Sequence, residues 1–460
     1  MRAEIEIAES LSFDCIVCGG GPSGIAAAIA SSEQGLRTAI LERTGSFGGT
    51  AVMSGVNHLL GGRFYHEDTK VMEKTVGGIF DDLVDRMIFE GIAIAPEEID
   101  PYNNPHGWYP RMAAGIPFDG NAVKGLLDRI LIEKKVVPYL FTKVIGAEVD
   151  SGNISSLIVN NKSGNLKMKA SYYIDATGDA DVASSAGCRF EKGRSADMLM
   201  TPASLEFHVD NVDRERLLEY QNQNKSPKLV EIIDELKKKG IWDFPFDIFV
   251  TVQLNDPDVF MVNTLRETFV DGTNGDDITK AMMKGRADVF KLHRIMKEYF
   301  PGFSRSRIRY IADVLGVRET RRIVGMKHVT LEDAKSGRVY EDQVARTTYN
   351  FDLPDPKRPS YDPMMGSAKK PDAKRQHISI EVPYGVMVPD RVGNLLVTGR
   401  AVSVDREVLG ALRVMGPCMM LGEAAGTAVA AAKEKGQRCA DVNGKELRKQ
   451  LIERGLLFGR

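Results

Sequence analysis

Hydrophobic and polar positions along this chain of 460 residues follow two recurring periods, and the places where the period changes mark its elements. A short unbroken apolar run, Phe13 to Cys18 (FDCIVC), has the pattern of a strand buried on both faces. Gly19 to Gly24 interrupts it. An alanine-rich segment with helical character, IAAAIASSEQG, then runs to Gly35, and a second apolar run, TAILE, closes at Glu42. Strand, helix and strand within about thirty residues follow the logic of a parallel βαβ unit. Amphipathic helices are expected over 68–91 and 119–134, with a loop rich in proline and aromatics between them. From 137 to 174 short alternating runs separated by SGN and NKSGN predict a β meander that feeds a last strand, YYIDATG.

The pattern changes from about 190 to 385, where charged helical stretches mix with the strands FDIFVTVQL and VFMVNT. Within it, residues 350–376 are rich in proline and lysine and read as a mobile surface loop. The small, apolar style returns at VGNLLVTGRAVS, and GPCMMLGEAAGTAVAAAKEKG reads as a long helix packed through small residues. The expected fold class is therefore α/β. A Rossmann-like domain with a β meander covers 1–199, an inserted α+β substrate or cap domain covers 200–385, the first domain resumes over 386–436, and 437–460 form a helical tail.

Four motifs give this frame its chemistry. Gly19, Gly21 and Gly24 form G-x-G-x-x-G between a strand and a helix. The first glycine permits the tight turn, the second lets backbone approach a pyrophosphate, and the third lets helix and strand pack closely. Pro22 and Ser23 open the helix, whose N–H groups and dipole favour phosphate. Glu42, about twenty residues on, is placed to accept hydrogen bonds from a ribose diol. The second motif follows in RTGSFGGTAVMSG, with Arg43, the doublet Gly48-Gly49, Thr50, Ser54 and Gly55. A simple NAD dehydrogenase has no need of that doublet, whereas FAD running over the strand ends would need backbone close by. The third is Ala176-Thr177-Gly178-Asp179, a small, tight crossing beside the same dinucleotide. The fourth spans Asn394 to Ala432: a strand, the turn Gly399-Arg400, and a helix opening near Gly416-Pro417. Proline suits a first helical turn, and that N-terminus is aimed at the N1/C2 oxygen region of a reduced flavin.

On these motifs the chain resembles the FAD-dependent oxidoreductases among the glutathione-reductase-like Rossmann flavoproteins. More narrowly it is similar to a single-FAD branch carrying L-G-V-R-E-T-R-R, G-R-A-x-S and R-V-M-x-x-C, here Leu315 to Arg322, Gly399 to Ser403 and Arg413 to Cys418. The resemblance covers roughly 13–190 and 310–435. It implies FAD as cofactor, and it implies that Val144, in TKV, holds the adenine through its backbone. Relatives of this branch carry a histidine after the GRAxS turn, where this chain has Asp405-Arg406, so a role for that histidine does not carry over.

With flavin N5 giving or taking the hydride, the protein need supply position, a proton and charge stabilisation. His58, beside the doublet loop, and His377, before ISIEVPYGVMVP, are candidates to touch substrate. Arg318 in VRETRR is a candidate for an anionic substrate or the flavin's pyrimidine edge, with a structural ion-pair network as the alternative. Arg413 precedes the helix aimed at the flavin and is the favoured cation. Cys418 and Met419 lie in that helix's first turns. Cys418 reads as a small packing residue, with a reactive thiol or covalent flavin attachment as alternatives.

Composition narrows the partners. A net charge of −2 recruits neither nucleic acid nor anionic membrane. No run approaches the roughly 20 apolar residues of a spanning helix, and MRAEIEIAES lacks the features of a secretory signal, so a cytoplasmic protein is expected. Five scattered cysteines suit neither a disulfide framework nor a metal cluster, and no metal ligands are assigned. Cys15 and Cys18 lie on opposite faces of one strand, which argues against a redox dithiol. No second G-x-G-x-x-G is present to bind NAD(P)H. The expected activity is hydride transfer between flavin and a small organic molecule, with an FAD electron-transfer subunit as the alternative. A redox partner protein and a homo-oligomer are both compatible with the sequence.

Overall fold

The computed structural model describes residues 8–99, 114–364, 366–367 and 378–458. Strand β1 (Ala8–Cys18) leads through the glycine turn into helix α1 (Pro22–Glu33) and strand β2 (Thr38–Leu41). Further along lie β3 (Val137–Tyr139), β4 (Lys143–Asp150), β5 (Asn153–Asn161) and β6 (Gly164–Asp175). Strand β7 (Leu395–Val397) and helix α2 (Met415–Lys435) complete the domain. The parallel sheet has the order β3-β2-β1-β6-β7, with Cys15 opposite both Thr38 and Tyr172, and Tyr173 opposite Leu395. The long β6 serves two partners. One edge pairs with β1 from Leu166 to Asp175, while the other pairs antiparallel with β5 over its first half, β5 pairing in turn with β4, and parallel with β7 over its last residues.

Side chains alternate across this sheet into two cores. Cys15, Val17 and Ile174 pack on the face covered by α1 and α2, while Ile16, Cys18 and Tyr173 pack on the other. That alternation separates Cys15 from Cys18. Burial pushes Cys15 up to about 12 and Cys18 well above an ordinary thiol, so neither is a thiolate at neutral pH. Helices α1 and α2 approach so closely that a Cβ on Gly422 would stand 2.0 Å from the Ser23 carbonyl oxygen, and one on Gly426 2.4 Å from that of Ala27. The small residues of both helices are required by this contact, not by helix formation alone.

A separate, third core belongs to the insert. Strands Thr251–Gln253, Phe260–Val262, Phe207–Asp210 and Arg307–Ile311 form an antiparallel sheet in that order. Aromatic side chains, among them Trp242, Phe246, Phe249, Phe300 and Phe303, pack with the helix Gly275–Tyr299 and its neighbours. Trp242 satisfies its indole N–H on the Phe246 carbonyl at 2.7 Å.

Several expectations need correction. The insert's core runs from Ala203 to Leu315 and does not reach 385. Strand Gln343–Thr347 pairs with Ile380–Pro383, and Val344, Ala345, Ile380 and Val382 join the core around α2. Charged composition marks a change of surface but does not say which core a strand packs on. The segment read as a surface loop from 350 buries Phe351 and Leu353 and is anchored by Asp352, while 368–377 lie outside the described residues. Residues 68–91 do not form one helix. Val71–Lys74 is a strand paired with Arg63–His66, and the helix begins only at Gly78, after Gly77 and Gly78 take φ of +77° and +55°. Val137–Tyr139 belongs to the parallel sheet, so the meander starts at Lys143. The tail helix Gly444–Glu453 buries Leu447 and Leu451 in the core around α2 and is no separate unit.

Among the described residues no single helix is long and apolar enough to cross a membrane. The bent pair Arg406–Leu412 and Met415–Lys435 reaches that length and composition together, but it is almost wholly buried in the core.

Candidate functional site

A large cavity crosses the C-terminal ends of β1, β2 and β6, the edge at which open parallel sheets bind ligands. The three motif glycines do three different things there. Gly19 has φ +106°, and a Cβ on it would stand 2.3 Å from the Ala176 carbonyl oxygen. A Cβ on Gly24 would stand 1.8 Å from the Gly19 carbonyl oxygen, so this glycine is fixed by helix–strand packing and does not line the cavity. A Cβ on Gly21 would meet no protein atom nearer than 4.0 Å. The space kept clear there belongs to the cavity. Helix α1 opens on it with Pro22 at its first position and no side chain capping it. The Ser23 hydroxyl is held by Thr398 at 2.7 Å.

At the end of β2 the buried Glu42 faces the same space. Its Oε2 accepts the Gly20 N–H, and its Oε1 accepts the Thr44 N–H and hydroxyl, each at 2.8 Å. Arg43 and Val144 line the cavity beside it. Of the doublet, only Gly49 lines the cavity. Gly48 donates its N–H to the Gly20 carbonyl, and a Cβ on Gly49 would stand 2.7 Å from Gly21 Cα. The close approach expected there is therefore backbone against backbone, one glycine loop bracing the other. Thr50 and Ser54 reach the cavity, whereas Gly55 turns away and accepts from His208 Nε2 at 2.8 Å.

Ala176, Thr177, Gly178 and Asp179 line the wall beyond Gly19. Gly178, at φ +79°, leaves room for the Arg400 guanidinium, which donates to the Gly178 carbonyl at 2.9 Å and to Asp179 at 2.6 Å. Gly399 lines the same wall. Helix α2 reaches the cavity through Met415 and Cys418, while Pro417 and Met419 do not line it. A Cβ on Gly61 would come within 2.8 Å of the Pro417 ring, and Gly416 donates its N–H to the Leu60 carbonyl. Burial pushes the Cys418 thiol up to about 12, and its Sγ lies 3.6 Å from the Leu412 carbonyl, so it is a packing residue and not a poised thiolate.

The insert closes the far side. Arg318, Arg413 and His58 all line the cavity; His377 lies outside the described residues. Arg413 donates through Nη2 to the Asp352 carbonyl at 2.9 Å and to its carboxylate at 2.8 Å. Burial works against the Asp352 charge, yet Arg413, Arg318 and Arg266 outweigh it and hold the carboxyl below its usual range. The rest of VRETRR is an ion-pair network. Glu319 binds Arg322 and Arg406, and Arg321 binds Asp181. The Asp405 that stands in the place of the relatives' histidine binds His328. Sequence reasoning missed Glu206, Asn263, Arg266 and Asp352, all of which line the cavity. They occur in ordinary strand or loop sequence, and beyond the i,i+3 pair Asn263 and Arg266 no spacing ties them together.

Residues 14–451 match the family model described as FAD dependent oxidoreductase. The chain belongs to this family. This FAD dependent oxidoreductase is 29% identical over 185 residues to dihydrolipoyl dehydrogenase 1, mitochondrial, of Arabidopsis thaliana, which covers 39% of the chain and 30% of that protein. Over 78 residues it is 44% identical to thiamine thiazole synthase of Archaeoglobus fulgidus, covering 17% of the chain and 25% of that protein. The chain thus matches less than a third of the length of either relative. Among solved structures it is similar to a geranylgeranyl bacteriochlorophyll reductase-like protein from Thermoplasma acidophilum, at 12% identity and a TM-score of 0.47 over 97% of this chain and 85% of that one. It is also similar to p-nitrophenol 4-monooxygenase from Pseudomonas putida, at 14% identity and a TM-score of 0.47 over 97% of this chain and 86% of that one.

The cofactor of the FAD dependent oxidoreductase is FAD, and the residues present fit it. The cleared space at Gly21, the uncapped start of α1 and the buried Glu42 carboxylate offer, in that order, backbone approach, phosphate donors and a diol acceptor.

Proposed function

We propose that this FAD-dependent oxidoreductase transfers a hydride between flavin N5 and a small organic substrate held on the insert side of the cavity. The observation that carries the reading is the continuity of one cavity from Glu42 and Gly21 to Arg318 and Arg413. Bound FAD supplies a two-electron centre at N5. Glu42 and Val144 would hold the adenosine, the α1 N-terminus would hold the pyrophosphate, and Met415 and Arg413, which line the cavity beyond them, would serve the flavin's pyrimidine edge. The insert excludes water and orients the substrate. Tyr310 donates to the Met53 carbonyl at 3.2 Å, and His208 donates to that of Gly55, tying the insert to the loop after the glycine doublet.

Within the family, the glutathione-reductase-like single-FAD branch with GRAxS and RVMxxC is the finer assignment. It is supported by the absence of a second G-x-G-x-x-G and by five free, buried cysteines, which leave no disulfide redox pair among them. Electrons are exchanged at the flavin with a small acceptor or a redox partner protein, and a cytoplasmic setting suits this chemistry. Anaerobic titration of the purified yellow protein with a panel of metabolites, followed at the flavin absorbance, tests the reading. Bleaching by a small molecule is the expected result. A flavin that responds only to a partner protein's iron–sulfur centre would replace it with the electron-transfer reading.

A further inference from the structure

The insert side of the cavity holds more positive charge than the protein neutralises. Arg413 is paired with Asp352. Arg266 and Arg318 are not paired with any carboxylate among the described residues. All the hydrogen bonds of Arg266 leave from Nη1, to Ser204 Oγ, to the Leu265 carbonyl and to the carbonyl and side chain of Asn263, at 2.9–3.1 Å. Arg318 donates through Nη1 to the Pro202 carbonyl at 2.7 Å and shares the Asn263 side chain through Nη2. Asn263 thus aligns both guanidiniums from one strand exit, and both line the cavity. Both are half-buried, and a guanidinium stays charged throughout the working pH range, so an anion is the natural partner for the charge they present to the cavity.

One acidic side chain is nearby and does not fill the role. Glu206 is 2% exposed and lines the cavity, and its Oε2 has no hydrogen-bond partner among the described residues. It forms no ion pair with either arginine. Burial raises its carboxyl above the usual range although Arg318 and Arg266 pull the other way. An orphaned acid beside two unpaired cations is a site built around something absent from the protein itself.

We propose that Arg266 and Arg318 bind a carboxylate group of the substrate, and that the unpartnered Glu206 carboxyl hydrogen-bonds the same molecule. The substrate of this flavoenzyme is then an organic acid, not a neutral alcohol, amine or aromatic. This substrate class rests on the hydride-transfer reading, but recognition of the anion does not require turnover, so the two can fail separately. Arg266 and Arg318 are the charges that act on Glu206, Asp352 and Arg413 act in turn on those arginines, the Tyr310 hydroxyl feels Glu206, and Lys228, Tyr349, Tyr361 and Asp362 are further titratable groups lining the cavity. Ionisation of Glu206 would place a second anion in the site, so carboxylate binding should weaken toward alkaline pH.

The test uses the FAD-loaded protein and redox-inert probes. Malonate, benzoate and acetate are titrated against malonamide, benzamide and acetamide while the flavin difference spectrum is followed. The expected result is saturable perturbation by at least one carboxylate and none by its amide. Arg266→Gln and Arg318→Gln should each raise the dissociation constant of that carboxylate about tenfold or more, with FAD stoichiometry unchanged. Glu206→Gln should keep the neutral-pH affinity and remove the alkaline loss. Amides that bind as well as carboxylates, no perturbation by any carboxylate, or arginine variants with unaltered affinity would each overturn the proposal. Should either glutamine variant fail to retain FAD, Arg266→Lys and Arg318→Lys keep the charge but lose the bidentate geometry; a weakened carboxylate there supports it and an unchanged one overturns it. Flavin reduction by a neutral metabolite, with carboxylates silent, would sink this inference and leave hydride transfer intact. Carboxylate binding without reduction by any small molecule would do the reverse.

Discussion

The two ends of the cavity are built on opposite principles. At the dinucleotide end, short stretches close in sequence do the work: Gly19 to Gly24, Glu42, Gly49 and Ala176 to Asp179 act mostly through backbone and the absence of side chains. At the arginine end, Glu206, Asn263 with Arg266, Arg318, Asp352 and Arg413 come from segments far apart in the chain and act through polar, mostly charged side chains. The first kind of site is fixed by sterics, and a single methyl group is enough to disturb it. The second is fixed by electrostatic balance, and neutral substitutions should alter its ligand while leaving the fold.

The largest expected effect lies where the dinucleotide end depends on helix contact. Gly422→Val puts a branched side chain where even Cβ would be 2.0 Å from the Ser23 carbonyl oxygen. Overpacking of this kind should cost about 3 kcal/mol or more, seen as a lower melting temperature and lost FAD. An unaltered melting temperature would mean that α1 and α2 are not so tightly joined.

Glu42→Ala comes next. Loss of charge-assisted hydrogen bonds to the ribose, worth roughly 1.5–3 kcal/mol, should weaken FAD binding on the order of ten- to a hundredfold. Glu42 also accepts the Gly20 and Thr44 N–H groups, so the loop loosens with it. Equilibrium dialysis of FAD reads the effect, and an unchanged dissociation constant would remove Glu42 from the ribose.

The seam between the two ends is sensitive to acid. Burial lowers the His208 imidazole to about 4, below its unfolded value of 6.5, and its neutral ring holds the Gly55 carbonyl. The unfolded chain therefore takes up the proton first as pH falls. The contribution is complete above pH 6.5 and is lost as the pH drops toward 4, amounting to about 2 kcal/mol by pH 5. Denaturant unfolding of wild type and His208→Gln at pH 7 and pH 5 isolates it. An equal acid loss in both proteins would show that His208 does not carry it.

The smallest effect is on the flavin itself. Arg413→Ala removes one positive charge and leaves Asp352 unpaired, so reduced, anionic flavin should become less favourable. A fall in midpoint of about 30 mV, equivalent to about 1.4 kcal/mol, is expected in the substrate-free enzyme. Arg413→Ala with Asp352→Ala restores the net charge and should recover most of it. A midpoint that stays put in the single variant would confine Arg413 to substrate binding.

Local patterns account for the parts of the fold and site that could be read from the chain alone. The βαβ unit, the crowded backbone at Gly19 and Gly24, the open space at Gly21, the place of Glu42 at the end of β2 and the tight Ala176–Asp179 crossing each depend on a few neighbouring residues whose backbone needs are visible in the sequence. Helix α2 was legible for the same reason, since its glycines and alanines announce close packing. The limits were equally physical. Val71–Lys74 looked helical because charged and apolar positions there suit either period, and pairing with Arg63–His66 decided it. Phe351 and Leu353 sat among prolines and lysines that mark a surface, and only their burial revealed a wall of the site.

By itself, then, the sequence determined the dinucleotide end, because a positive φ, a missing Cβ or an uncapped helix start is a property of a few consecutive residues. It also determined that Cys15 and Cys18 face apart, because alternation along a strand is local. Tertiary structure alone decided which arginines are paired and which are not. Arg413 found Asp352, Arg322 and Arg406 found Glu319, and Arg266 and Arg318 found only neutral partners. A charge's partner is set by distance in space, which falls off over a few ångströms and has no counterpart in the spacing of residues along the chain.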